Sequence, residues 1–519
     1  MIKNNYRTAL ALLGSIALST SAIRAVHAEP DMVASGIFED SKIRRAAVGV
    51  FPEYFDLLSM PSDSINPSDI QKNASWLVKA FERRDFRAQE LENNGKPLVF
   101  ASYSGNFGVR PTVLFYLHFD GQPVIASQWS QKDPWKPVVK RRAADGVWSE
   151  VNNSELFRTD FDPELRVFGR AAADDKGPIA MFLASFDLLR TENLLPAVNV
   201  KVILDSEEEV NSPGIAKVVE SNKELLKADA LVVLDSATHA SGRPTIVFGN
   251  RGAVPVTLTV YGTKVPSHSG HYGNYVPNPA QRLARLLAGM KDDDGRVLIP
   301  GYYDRTIITD TDRKVLAEVP DDETALNKRL GIAAPDKVGV SYQEAIQYPS
   351  LNVRGMAAAG VGDQVAGIIP NKAVAEIDLR TTVEANGNYL FGLIKHYVED
   401  QGYILVDREP TDAERSSNAK IATLRRGKGD DAERQEINSA IGRWASSALQ
   451  TASKQSPVRV RQMGATVPTH ELVGPLGLPF VLVPTVNPDD NQHTYDENLR
   501  MGNFVTGMRS MLGLLLTPY

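Results

Sequence analysis

Apolar residues fall along this chain in two rhythms. Short unbroken runs, Pro111 to Leu117, Asn199 to Leu204, Ala230 to Leu234 and Phe480 to Val483, have the pattern of strands buried on both faces. Between them lie stretches with helical spacing. Gly177 to Leu189 sets Ile179, Phe182, Leu183, Phe186 and Leu189 along one stripe, and Ile215 to Leu226 reads as a further helix. Strands alternating with helices predict an α/β fold, with a mostly parallel sheet flanked by helices. Ahead of this region, residues 29 to about 95 read as mainly helical, with Trp76, Leu77, Ala80 and Phe81 at helical spacing between Ser75 and Gln89.

The rhythm changes between 250 and 408. Val254, Val256, Leu258 and Val260 alternate with other residues, as in a strand buried on one face. Asn278 as N-cap and Pro279 in the first turn open a helix containing Leu283, Leu286 and Leu287. Strands at Leu351 to Met356 and Val374 to Thr382, a helix at Tyr389 to Glu399 and a strand at Tyr403 to Val406 complete the series. Strand, helix, strand, strand, helix, strand is the ferredoxin-like plan. The expected division is a leader at 1–28, an α/β domain in two parts at 29–249 and 409–519, and an inserted α+β domain at 250–408. Residues 291–350 read as an irregular, charged elaboration of the insert, and 409–436 as an irregular surface segment.

Composition narrows the function. At 519 residues the chain exceeds one ordinary core, and 43% hydrophobic with 23% charged residues is the balance of a globular protein. A net charge of −6 gives no basic footprint, so nucleic acid is not an expected partner. Lys3 and Arg7, the apolar run Ala9 to Ala17 and the small-residue site Val26-His27-Ala28 form a secretory signal ending before Glu29. Its apolar core is shorter than the roughly 20 residues of a membrane span, so no membrane attachment is expected after cleavage. The chain has no cysteine, which rules out disulfides and thiolate metal ligands. The expectation is an exported protein, periplasmic or secreted, of bacterial type.

The ends of the predicted strands carry the chemistry. Leu114 to Leu117 delivers His118 and Asp120, the 199–204 run delivers Glu207-Glu208-Glu209, and Leu231 to Leu234 delivers Asp235. Asp174 lies in the loop Gly169 to Gly177 ahead of a helix, and His493 follows the last strand. Open α/β sheets build their sites at these strand ends. Carboxylates packed this closely repel one another unless a cation lies between them. His118, Asp174, Glu209, Asp235 and His493 suit zinc, and a carboxylate at Asp174 can bridge two ions.

His118-Phe-Asp120-Gly-Gln-Pro123, Gly169-Arg170 with Asp174-Asp175-Lys176-Gly177-Pro178, Glu208-Glu209 with Ser212-Pro-Gly214, Asp235, His268-Ser269-Gly270 and His493 together resemble the dinuclear zinc metallopeptidases. These include carnosine dipeptidases, glutamate carboxypeptidase, aminoacylase and the succinyl-diaminopimelate desuccinylases. The resemblance runs from about residue 40 to the C-terminus, and Asp-Asp-Lys-Gly-Pro leans toward the dipeptidase branch. It implies a zinc-binding α/β catalytic domain with an inserted ferredoxin-like lid that dimerises. It further implies two divalent ions per subunit, zinc with manganese or cobalt as alternatives. His118, Asp174 and Asp235 would hold one ion and Asp174, Glu209 and His493 the other, with Asp120 orienting His118. Glu208 would be the general base, moving a proton from the attacking water to the leaving amine. A one-residue slip along the acidic triplet would instead select Glu207 and Glu208. From the lid, His268 would reach a neighbouring subunit's site, with His271 as rival, and Arg380 would grip a substrate carboxylate. Gly464-Ala465-Thr466 resembles a substrate-contacting segment, with Thr466 its hydroxyl. His239, His396 and His470 are left as structural or surface residues.

The expected activity is zinc-dependent hydrolysis of dipeptides or of the terminal residue of short peptides. Two alternatives remain at this point: an N-acyl amino acid amidohydrolase using the same site, and a binding protein on the same fold without catalysis.

Overall fold

Residues 36–106 and 108–519 are described by a computed structural model. The expected leader at 1–28 lies outside the described residues. Two helices, α1 (Asp40–Leu58) and α2 (Pro67–Glu82), come first, followed by β1 (Phe86–Leu91) and β2 (Leu98–Tyr103). The helical stretch expected to reach Gln89 therefore stops at Glu82. Phe86 to Leu91 pair antiparallel with Leu98 to Tyr103, and that pairing overrides the local helical spacing.

The next elements are β3 (Thr112–His118), α3 (Lys176–Thr191), β4 (Asn199–Asp205), α4 (Ile215–Ser221), β5 (Ala230–Val233) and β6 (Thr245–Val247). After the insert come α5 (Ala440–Ser453), β7 (Val458–Val460), α6 (Thr469–Leu476), β8 (Phe480–Leu482) and α7 (Met501–Leu516). Among the described residues these strands form one eight-stranded sheet in the order β1-β2-β4-β3-β5-β8-β6-β7. Its four central strands, β4, β3, β5 and β8, run parallel, while β1, β2 and β6 join antiparallel to their inner neighbours. The sheet is parallel in its centre and mixed at its edges.

Alternation along β3 explains the two faces. Val113, Phe115 and Leu117 enter one buried cluster with residues of α1, α3, α5 and α7, and Leu114 and Tyr116 enter another with residues of α4 and α6. Both faces are covered, so the central strands carry continuous apolar runs.

The insert has its own sheet and core. Its strands are β9 (Gly252–Tyr261), β10 (Ser350–Ala357), β11 (Lys372–Thr381), β12 (Ile404–Val406) and β13 (Ile421–Arg426), in the order β10-β11-β9-β13-β12. Val254, Val256, Leu258 and Val260 pack on helices α8 (Pro279–Met290) and α9 (Gly387–Asp400). The ferredoxin-like order is met with β13, not the 403–406 segment, beside β9. The 404–406 strand lies outside it, parallel to β13. Three expectations are corrected here. Residues 421–426 belong to the insert's sheet, so its sheet extends beyond 408, and 409–436 is not irregular. Residues 291–350 are also ordered into short helices α10 (Asp310–Leu316), α11 (Glu323–Leu330) and α12 (Tyr342–Ala345). These helices show no long apolar stripe. Caps hold them instead, Thr309 with Asp312, Asp322 on Ala325 and Ser341 on Glu344.

Candidate metal and active centre

The parallel centre brings the strand ends together. His118 ends β3 opposite Asp205, the last residue of β4, and Asp235 follows β5 by two residues. Residues 169–175 reach the same place through a second, smaller sheet, in which 166–168 pair with 498–500. Gly177 fits where that loop meets α3, because a Cβ there would lie 2.4 Å from the Ala172 carbonyl oxygen.

Asp174 stands at the middle of the cluster. One of its oxygens lies 2.7 Å from His118 Nε2 and the other 3.1 Å from His493 Nε2. His493 Nε2 is also 3.0 Å from Glu209 Oε2, and Asp235 is 4.0 Å from His118 Nε2. All five candidate ligands are thus gathered. Two groups of three are close enough to share an ion, His118 with Asp175 and Asp235, and Asp174 with Glu209 and His493. Asp175 was not singled out in the sequence. One of its oxygens accepts the His118 backbone N–H, and the other is buried with no hydrogen-bond partner among the described residues.

Asp120 fixes the geometry of the acidic triplet. Its Oδ1 is 3.3 Å from His118 Nδ1, and its two oxygens accept the backbone N–H groups of Glu208 and Glu209 at 3.1 Å each. Glu207 points elsewhere, bound by Lys96 at 2.6 Å and Asn93 at 2.9 Å. These bonds hold Glu207 away from the cluster and leave Glu208 and Glu209 beside it. Gln122 donates to Glu209 Oε2 at 2.8 Å.

The electrostatics fit cations. Burial and the Asp174 charge push Glu209 up to about 7 and Asp235 up to about 6. Burial, with Asp235 and Glu209 nearby, raises Glu208 well above the carboxylate range. Burial acts against protonated His118, yet hydrogen bonds to Asp120 and Asp174 raise it well above the usual imidazole value. Hydrogen bonds to Asp174 and Glu209 push His493 up to about 11. Bare protein satisfies this cluster only by keeping protons in it. Imidazole and carboxylate donors at this density are the set that divalent ions replace protons on.

Glu497 supports the cluster and was missed in the sequence. Fully buried, it accepts from Arg170 Nη1 at 2.7 Å and from the backbone N–H groups of Ala171, Ala173 and Asp174 at 2.9–3.0 Å. Arg170 also donates to the Thr494 carbonyl at 2.9 Å. One ion pair thus ties the Asp174 loop to the segment carrying His493. Lys176 turns away from the site and donates to the carbonyls of Leu57 and Met60.

The two substrate-binding candidates meet each other. Arg380 Nη1 donates to Thr466 Oγ1 at 2.9 Å, joining the insert to the α/β domain, and Thr466 donates to the Arg251 carbonyl at 2.8 Å. Burial and the neighbouring Arg380 charge push Arg251 down to about 10, and Arg380 Nε is itself paired with Asp378 at 3.0 Å. His268 lies apart from the ligand cluster. Exposed, it caps a short turn by accepting the Gly270 N–H at 3.0 Å and stacks on His271. His470 pairs with Glu433 and His396 with its own helix, whereas His239 bonds Asp321 across the two domains.

Comparison with known proteins agrees with this geometry. Residues 114–517 match the model of peptidase family M20/M25/M40. The chain belongs to this peptidase family. A similar curated protein is the Cys-Gly metallodipeptidase of Schizosaccharomyces pombe, 24% identical over 474 residues, 87% of this chain and 92% of that one. Among solved structures, an M20 family metallo-carboxypeptidase from Sulfolobus solfataricus matches with a TM-score of 0.72 and 24% identity, over 90% of this chain and 98% of the other. Human carnosine dipeptidase 1 matches with a TM-score of 0.73 and 19% identity, over 93% of this chain and 98% of that one.

Proposed function

We propose that the protein is an exported zinc exopeptidase that hydrolyses dipeptides or removes the terminal residue of short peptides. The observation that carries this reading is a single carboxylate, Asp174, joining two histidines while Glu208 stands beside the cluster. His118, Asp235 and Asp174 would hold one divalent ion, and Asp174, Glu209 and His493 the second, with Asp175 beside the first. Such ions would supply Lewis acidity and lower the pKa of water toward neutrality. Mixed nitrogen and oxygen donors favour zinc over the harder cations.

The chain's own groups handle protons and position. Glu208 takes a proton from the attacking water and returns it to the leaving amine. Asp120 holds the His118 ring and the Glu208 backbone in one frame. Arg380, its Nη1 steadied by the Thr466 hydroxyl, offers guanidinium donors to a free substrate carboxylate, which fits an exopeptidase. The dipeptidase named among the relatives supports short substrates.

Two further parts of the reading concern assembly and location. Strand β10 lies at an edge of the insert's sheet and exposes Val353 and Met356, which supports a homodimer formed through the lid. The basic start, short apolar run and small-residue site Val26-His27-Ala28 support export. Amino-terminal sequencing of secreted material starting at Glu29 checks the second.

The activity test is a side-by-side assay of the zinc-loaded enzyme with unblocked dipeptides and N-acetyl amino acids. Cleavage of the dipeptides is expected. Turnover of only the acylated substrates would replace the peptidase with the amidohydrolase.

A further inference from the structure

Between the two domains lies a cavity of about 420 Å³, within the roughly 300–1,000 Å³ range of ligand pockets. One wall comes from the α/β domain and begins at Ser236, the residue after Asp235. It continues to Met463 and Gly464, just ahead of Thr466. The other wall is the 310–348 elaboration, for which the sequence suggested no task. Its apolar lining is Val247, Ala325, Leu326, Ile346, Val460 and Met463.

The walls are fastened. His239 Nε2 lies 3.0 Å from Asp321 Oδ1, and Gln343 donates to the other oxygen of Asp321 at 2.7 Å. Gln462 donates to the Ile346 carbonyl at 3.0 Å. These polar groups engage one another, which leaves apolar surface to meet a guest. Asp322 and Arg329 also line the cavity with opposite charges, so it carries no single sign.

Resting on the peptidase reading above, we infer that this cavity receives a large apolar side chain of the substrate's C-terminal residue, and that the 310–348 elaboration sets this preference. The assignment to the C-terminal residue follows from position. Gly464 lines the cavity two residues before Thr466, whose hydroxyl accepts from Arg380, so a carboxylate held by Arg380 would lie beside this wall of the cavity, with its own side chain within reach of Gly464 and Met463.

The test compares wild type, Ala325→Trp, which fills the cavity from the elaboration, and Leu326→Ala, which enlarges it. Each is loaded with zinc and given Gly-Phe, Phe-Gly, Gly-Asp and Gly-Gly. Wild type should prefer Gly-Phe to Gly-Gly and Gly-Asp. Ala325→Trp should lower kcat/KM for Gly-Phe about tenfold or more, as losing an apolar pocket contact does, and leave Gly-Gly within about threefold. Leu326→Ala should weaken Gly-Phe more than Gly-Gly without blocking either. An equal loss on all peptides, a loss confined to Phe-Gly, or a wild-type preference for Gly-Asp would overturn the inference. Calorimetric binding of Gly-Phe and Gly-Gly to the same proteins reads the pocket without turnover. Selective binding with no hydrolysis would keep the pocket and sink the peptidase reading, and hydrolysis without selectivity would do the reverse.

Discussion

At the scale of single residues, neighbouring glutamates have opposite employments. Glu208 and Glu209 hang from Asp120 through their backbone N–H groups, whereas Glu207 is tied to Lys96 and Asn93. Glu208→Gln is expected to retain two metals by elemental analysis and to lose about 10²–10⁴-fold in kcat. Glu207→Gln should keep kcat within a few-fold and lower stability by about 1–3 kcal/mol in urea unfolding. The reverse pattern would move the base to Glu207. Glu497 is a positioning residue with a different signature. Glu497→Ala strands the buried Arg170 and frees three backbone N–H groups, so a loss of about 3–5 kcal/mol is expected, along with weakened metal retention on dialysis. Glu497→Gln should recover part of both. Unchanged stability in the alanine variant would show that the pair contributes nothing. Of the candidate ligands, His118, Glu209 and Asp235 were legible as metal-type residues following apolar runs, whereas Asp174 and His493 lie in loops and stood out through the motifs around them. Glu497 was not, since it lies in a loop and works through main-chain groups that carry no side-chain signal.

Among elements, legibility followed packing. Strands β3, β4, β5 and β8 are buried on both faces and announce themselves as apolar runs. Strand β13 does not. It has one apolar stretch, Ile421 to Leu424, followed by Arg425 and Arg426, and its place is set by pairing with the distant β9. Helices α10 to α12 are likewise short and polar. Arg461, beside β7, holds them with one bond to Asp312 at 3.2 Å and another to Gln347 at 2.7 Å. Arg459 pairs with Glu318 in the same region. Arg461→Ala should loosen this elaboration by about 1.5–3 kcal/mol, the worth of hydrogen bonds to a charged group. Hydrogen exchange is expected to speed up across 310–348 while the metal content stays unchanged. Uniform exchange over the whole chain would mean that the elaboration is not a separately held unit.

For the whole molecule, the centre joins four parallel strands, the 169–175 loop and the segment before α7, so its state bears on global stability. The sign of the pH dependence follows from the raised proton affinities. Glu209 and Asp235 titrate near 7 and 6 in the folded, metal-free protein, against about 4 in an unfolded chain. A carboxyl raised on folding favours the folded state below its unfolded value and loses that contribution as pH climbs through the folded one. His493, raised to about 11 from about 6.5, acts in the same direction. The metal-free protein should therefore weaken as pH rises from 5 to 8. Zinc held by these donors would reverse the trend, because it would bind their deprotonated forms and displace those protons. At a hundredfold excess over Kd, binding contributes about 2.7 kcal/mol. Apparent Kd itself should fall as pH rises past 7. The rise in melting temperature on adding zinc should consequently be larger at pH 8 than at pH 5.5, and a chelator should abolish it at both. Calorimetric titration in buffers of different ionisation heat should register proton release at pH 7. An equal zinc effect at the two pH values, with no protons released, would show either that the cluster is already deprotonated without metal or that zinc binds through other groups.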